Sequence, residues 1–261
     1  GEEPGNAEAG HLTIGAGRIL MADSVRVGNA VAANEFSANP VIKHAFTKAA
    51  EIGQKVHFIG LLSDAGKDSH QEALFALLRT ARSAGISKAF VHCILDGLDV
   101  RPRTADVYVE ALEVKMAEIG LGRIASLCGR FYAMDSRENW ERTARAFTML
   151  VHGEGERAFD PITAIRASYL RGISDEFITP IVIERAFDEQ VATVANGDLV
   201  VFFNHAAEGI RQLARSLSVS DAGAAKGKVD TVCLTEYDPE LKLPVAFRSD
   251  HPRYPLAEVL S

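Results

Sequence analysis

Asp64, Asp68 and His70, then Asp96 and Asp99, lie on two short polar stretches that each follow an apolar run. Carboxylates and an imidazole gathered in this way suit a metal or cationic ligand, because hard cations take oxygen donors. The plainer account is a solvated acidic rim. Exposed carboxylates need no ligand, and Asp beside a turn is a natural helix cap, the role expected of Asp64. Arg130 ends a third apolar run, where a guanidinium is either an anion contact or the ion-pair partner of Asp99 or Asp135. Arg101, Arg103 and Arg137 offer further positive charge, or simply face solvent. His205 and Glu208 follow a fourth apolar run and are placed for a possible acid–base pair, although any polar loop carries such residues. Near the start, Gly5-Asn6-Ala7-Glu8-Ala9-Gly10-His11 is followed by Gly15-Ala16-Gly17, a turn that lacks the full spacing of a dinucleotide-binding loop.

These residues need a scaffold, and the chain supplies alternating patterns. Val56–Leu62 reads as a strand, and Gln71–Ser83 as a helix with Leu74, Leu77, Leu78 and Ala81 on one face. Lys88–Leu95 is the next strand, then a helix over Thr104–Ile119 with Val107, Leu112, Val114 and Met116 among its apolar positions. Arg123–Cys128 repeats the strand and Arg137–Val151 the helix; a further helix is expected near Ile162–Arg171. Leu199–Phe203 is the most apolar strand, Ala206–Leu217 a helix, and Val229–Leu234 a closing strand. This alternation predicts an α/β fold in three layers, a mainly parallel sheet with helices on both faces. Ligands of such sheets sit beyond the carboxyl ends of the strands. That rule singles out the loops Ser63–His70, Asp96–Arg103, Gly129–Arg137, Asn204–Gly209 and Thr235–Asp238. Asp221–Lys228 reads as a small-residue flexible loop, and Gly1–Pro4 as a frayed end or joint.

Composition narrows the partners. With 28 basic and 35 acidic residues the formal charge is −7, which gives no reason to expect nucleic acid or an anionic membrane as partner. No apolar run is long enough for a transmembrane helix, and no signal-peptide pattern opens the chain, although Gly1 is not an initiator Met. Cys93, Cys128 and Cys233 lie within apolar runs without the short spacings of zinc ligands, so buried, reduced thiols and a cytoplasmic location are expected.

Several motifs, in order, resemble the cofactor-independent phosphoglycerate mutases. Gly5–Arg18 resembles their Gly-Asn-Ser-Glu-x-Gly-His-x-x-Ile-Gly-Ala-Gly-Arg. Leu61–His70 is similar to Leu-Leu-Ser-Asp-Gly-Gly-Val-His-Ser-His, and Leu95–Asp99 to Leu-Asp-Gly-Arg-Asp. Gly129–Asp135 resembles Gly-Arg-Tyr-Tyr-Ala-Met-Asp, and His205–Gly209 stands where the family has Phe-Arg-Pro-Asp-Arg. Thr235–Asp238 and Leu243–Phe247 resemble the end of the same unit. The family is a glycolytic isomerase of the alkaline phosphatase superfamily. Its phosphatase-like domain carries a nucleophilic serine and two divalent ions, Mn or Mg, and an inserted domain grips the substrate. The resemblance therefore implies that residues 1–20 match the serine loop, 21–240 the inserted substrate-binding domain, and 241–261 a return linker.

The departures fall on the chemistry. Ala7 holds the nucleophile position and has no oxygen to attack or to bind a metal; His11 keeps its place, for packing or for catalysis. The family's first-loop histidine is Asp68, one arginine is Leu98, another is Ser136, and both arginines of Phe-Arg-Pro-Asp-Arg are gone. Asp99 and Arg130 persist. Each lost charge-assisted contact is worth roughly 1.5–3 kcal/mol, so tight phosphoglycerate binding is not expected. The resemblance implies Arg130, Asp99, Asp64, Asp68 and His70 as ligand contacts, no catalytic nucleophile, and no metal or cofactor held by this chain alone. The expected role is the substrate-binding domain of a divergent mutase-like protein. The parent would transfer phosphoryl groups on a small phosphate or phosphonate metabolite, using a phosphatase-like domain missing here. By itself the chain is expected to be inactive as a mutase. A non-catalytic anion-binding or regulatory module, and a fragment of a working mutase, stay open as alternatives.

Overall fold

The computed structural model describes residues 21–184, 192–218 and 229–249. The Gly5–Arg18 motif with Ala7 and His11, the opening Gly1–Pro4, the Asp221–Lys228 loop and the tail Glu258–Ser261 lie outside these residues.

Apolar side chains in the central strands serve both sheet faces, which is why those strands read as unbroken hydrophobic runs. In β1 (Val56–Leu62) Val56, Phe58 and Leu62 join one core cluster, while Ile59 and Leu61 join another. The pattern repeats in β2 (Ala89–Leu95), β3 (Arg123–Gly129), β6 (Leu199–Phe202) and β7 (Asp230–Cys233). Two short strands, β4 (Glu156–Ala158) and β5 (Ile181–Ile183), complete a seven-stranded sheet of order β4-β5-β3-β2-β1-β6-β7. All pairings are parallel except β3 with β5. The fold is thus α/β with a mainly parallel sheet.

One face is covered by α1 (Asp23–Ala32), α2 (Pro40–Glu51), α3 (Gln71–Ser83), α4 (Ala105–Ile119) and α7 (Pro161–Leu170). The other is covered by α5 (Arg130–Ala133), α6 (Trp140–His152) and α8 (Ala207–Ser218). Sequence periodicity misses α1 and α2, although α2 carries a start signal: Asn39 accepts from the Val41 and Ile42 amides, and Pro40 follows it. β4 and β5, at three residues each, are too short to show a period. In α4 the buried stripe is Val109, Leu112 and Met116. Val107 and Val114, read as apolar positions, are 60% and 55% exposed, because they fall outside the 3.6-residue stripe facing the sheet.

The start of the stretch expected to be a return linker packs on the domain. Val245 bridges Cys233 in parallel, the Ala246 and Phe247 amides donate to the Cys233 and Leu234 carbonyls, and the Phe247 ring lies 5.0 Å from Phe36. All three cysteines are buried and free. Burial pushes the Cys128 and Cys233 thiols up to about 12, so neither is a ready nucleophile. No helix among the described residues is long and apolar enough to cross a membrane.

Beneath the α6–α8 face the sheet buries a polar chain. His57 Nε2 lies 3.2 Å from Asp198, His57 Nδ1 lies 2.9 Å from His92 Nε2, and His92 Nδ1 lies 2.7 Å from the Ser126 hydroxyl. A carboxylate only accepts, which fixes the order: Ser126 donates to His92, His92 to His57, and His57 to Asp198. Each imidazole is thereby satisfied in its neutral form.

Candidate functional site

The five loops selected from the sequence meet at the carboxyl ends of the parallel strands. The Asp68 carbonyl accepts from the His205 and Ala206 amides, Thr235 donates its hydroxyl to the His205 carbonyl, and Tyr237 donates to the Asn204 carbonyl. Arg130 lies in their midst. Gly129 makes this possible: its amide donates to the Ile178 carbonyl, and a Cβ there would sit 2.0 Å from the Glu176 carbonyl oxygen. The chain can pass so close only without a side chain, and Arg130 then starts the short α5 and reaches across β2.

Three carboxylates receive the guanidinium. Arg130 Nη1 donates to Asp96 at 2.8 Å and Asp99 at 2.6 Å, and Nη2 donates to Asp68 at 2.6 Å. Its side chain is 11% exposed. Burial works against the charge, but the Asp99 and Asp96 hydrogen bonds outweigh it and raise the Arg130 pKa. Asp96 is the buried hub. It accepts the Ser63 hydroxyl at 2.7 Å and the Leu98 and Asp99 amides, so its loop folds around it. Asp99 also receives Lys67 at 2.9 Å. Burial would raise the Asp99 carboxyl, yet the bonds from Lys67 and Arg130 prevail and hold it below the usual carboxylate range.

Of the two partners expected for Arg130, Asp99 is one and Asp135 is not. Asp135 is taken by Arg142, Asn139 and Gln212, together with the Arg137 amide. Asp64 does not cap α3. The first donors of that helix go to the Ser63 carbonyl and to His70 Nδ1, which accepts from Glu72, and Asp64 instead accepts the Tyr108 hydroxyl at 2.6 Å. That bond adds to burial in pushing the Tyr108 phenol up to about 12. His70 therefore faces its own helix rather than Arg130.

His205 is buried, and its Nε2 lies 2.9 and 3.0 Å from the Gly66 and Lys67 carbonyls. Two acceptors require a proton on that nitrogen, while burial lowers the His205 pKa. Glu208 is exposed on α8, and among the described residues no hydrogen bond or ion pair joins it to His205. Leu98 is 59% exposed. Gly209 backs onto Met134, whose Cε would lie 2.7 Å from an added Cβ. Among the described residues no group of three or more His, Cys, Asp or Glu is arranged to hold a metal ion.

Sequence reasoning missed Lys67 as a partner of Asp99, and it missed the His57–His92 chain. Two histidines inside adjacent apolar strands were the available signal for the second.

A family model described as BPG-independent PGAM N-terminus matches residues 27–239. The chain belongs to this family. It is 44% identical to the 2,3-bisphosphoglycerate-independent phosphoglycerate mutase of Moorella thermoacetica, covering 98% of this chain and 51% of that protein. The mutase of the same name from Desulforudis audaxviator is also 44% identical, with the same shares covered. The chain spans about half the length of these curated relatives. A crystal structure of Leishmania mexicana phosphoglycerate mutase at low cobalt concentration shares the fold, with a TM-score of 0.85 at 24% identity, over 94% of this chain and 47% of that one.

Proposed function

We propose that this chain is the substrate-side domain of a divergent mutase-like protein. Its remaining anion contact is Arg130, positioned with Asp99, and 3-phosphoglycerate is not its ligand. The observation that carries this reading is the half-buried Arg130 guanidinium, already matched by three carboxylates. Phosphoglycerate bears a phosphate and a carboxylate, and sites for such anions use several bidentate arginines. Here Leu98, Ser136, Ala206 and Gly209 stand at the arginine places. One guanidinium suits a smaller anion, such as inorganic phosphate or a simple phosphonate.

Phosphoryl transfer on such a compound needs a nucleophile and divalent ions from elsewhere in a longer protein. Ala7 supplies no oxygen. The described carboxylates do not fit a two-metal centre, because those nearest Arg130 are spent on Arg130 and Lys67. A companion phosphatase-like domain, occupying the half of the relatives not covered here, is the partner this reading requires.

With Mn²⁺ present, the purified chain is expected to show no interconversion of 2- and 3-phosphoglycerate in a coupled assay. Methylphosphonate at about 100 times its dissociation constant should raise the melting temperature by a few degrees, and Arg130→Gln should abolish that rise. Turnover by the chain, or a rise that survives Arg130→Gln, contradicts the proposal.

A further inference from the structure

The two ends of the Arg130 guanidinium are held differently. Nη1 is shared by Asp96 and Asp99, whereas among the described residues Nη2 donates only to Asp68. Asp96 is fixed, with its side chain 1% exposed and bonds from Ser63, Leu98 and Asp99. Asp99 is tied to Lys67 as well. The Asp68 carboxylate has Arg130 as its sole hydrogen-bond donor among the described residues. Its backbone is pinned, because its carbonyl accepts two amides from the Asn204–Gly209 loop. The Asp68 carboxylate is thus the least tethered of the three.

A carboxylate oxygen 2.6 Å from Nη2 sits where the oxygen of a bound phosphate would sit. It is also the position at which the family motif has histidine. We infer that Asp68 is an internal stand-in for an anionic ligand: it occupies the exchangeable end of Arg130 and sets anion affinity, so that an incoming phosphate must displace it. The inference rests on the reading of Arg130 as the anion contact. Electrostatics act in the same direction. Asp68, Asp96 and Asp99 against Arg130 and Lys67 leave one net negative charge, which repels phosphate while Asp68 faces Arg130.

The test is titration of inorganic phosphate into the wild-type chain, Asp68→Asn and Asp68→Ser at low fixed ionic strength, with melting temperatures confirming that each variant is folded. The serine variant guards against an Asn amide oxygen that keeps the Nη2 bond. Both variants are expected to bind phosphate roughly tenfold or more tightly than wild type, and adding Arg130→Gln should remove the gain. If wild type binds phosphate through Arg130 and neither variant binds better, the stand-in role is overturned and the Arg130 reading survives. If no Arg130-dependent binding is found in any of them, both fall. A gain that persists without Arg130 also overturns the inference.

Discussion

Gly129→Ala is expected to be among the most destabilising single-methyl additions in this chain, costing about 3 kcal/mol or more. The atoms in the way are backbone: the Glu176 carbonyl oxygen and carbon at 2.0 and 2.4 Å, and the Asp175 carbonyl oxygen at 2.7 Å. No side chain can rotate aside. Relief requires β3 to part from the 3₁₀ turn Asp175–Phe177, which would break the Gly129–Ile178 hydrogen bond and displace Arg130 by the same movement. Urea denaturation of the variant reads the stability loss, and a matched control is Gly172→Ala, where nothing lies within 4 Å of an added Cβ. Gly172 has a φ of +81°, so its alanine carries backbone strain but no clash, and should cost roughly 1 kcal/mol. Equal losses at the two sites would show that steric closure at Gly129 is not what the chain depends on.

Stability is expected to fall steeply between pH 6.5 and 5. Burial lowers the pKa of both His57 and His92, in the latter case well below its ordinary value; Asp198 opposes the shift at His57, and Lys55 adds to it. In the unfolded chain each histidine takes a proton near pH 6.5. Below that pH the unfolded state binds more protons than the folded one, so the contribution is complete above pH 6.5 and is lost as the pH falls. The loss is about 1.4 kcal/mol per pH unit for each histidine that stays neutral in the fold, hence up to about 2.7 kcal/mol per unit for the pair. The geometry adds a limit to the effect of burial: at 2.9 Å, His57 Nδ1 and His92 Nε2 cannot both carry protons, so the two imidazoles cannot both be cationic while this contact holds. Carboxylates with lowered pKa values, such as Asp99, make their own contribution only at more acid pH. Denaturation midpoints measured in half-unit steps from pH 7.5 to 5 check the slope, and a flat profile over 6.5–5 would refute it.

The five strands β1, β2, β3, β6 and β7 were legible because each is largely buried on both faces and so written as an apolar run. The limits of β1, Val56–Leu62, come directly from such a run, and those of α3, Gln71–Ser83, from the helical stripe of Leu74, Leu77, Leu78 and Ala81. β4 and β5 were not legible, since Glu156–Ala158 is a strand only by virtue of its neighbour. At the site, the rule that ligands sit at strand carboxyl ends selected loops that the fold does bring together, and Asp99 was one of the two ion-pair partners expected of Arg130. What a motif cannot specify is side-chain direction. Asp64 turns to Tyr108, His70 to its own helix and Asp135 to Arg142, because each finds the nearest unsatisfied donor. Asp68 and Asp96 close on Arg130 for the same reason.

The central claim is that the phosphoglycerate cradle has been turned inward. Calorimetric titration of 3-phosphoglycerate into the wild-type chain at physiological ionic strength tests it most directly. No saturable heat up to millimolar ligand is the result expected from an arginine matched by three carboxylates and four arginine places left without charge. Saturable binding with a micromolar dissociation constant, lost on Arg130→Gln, would mean that Asp68 and Asp99 yield to phosphoglycerate and that the cradle still serves its family's substrate.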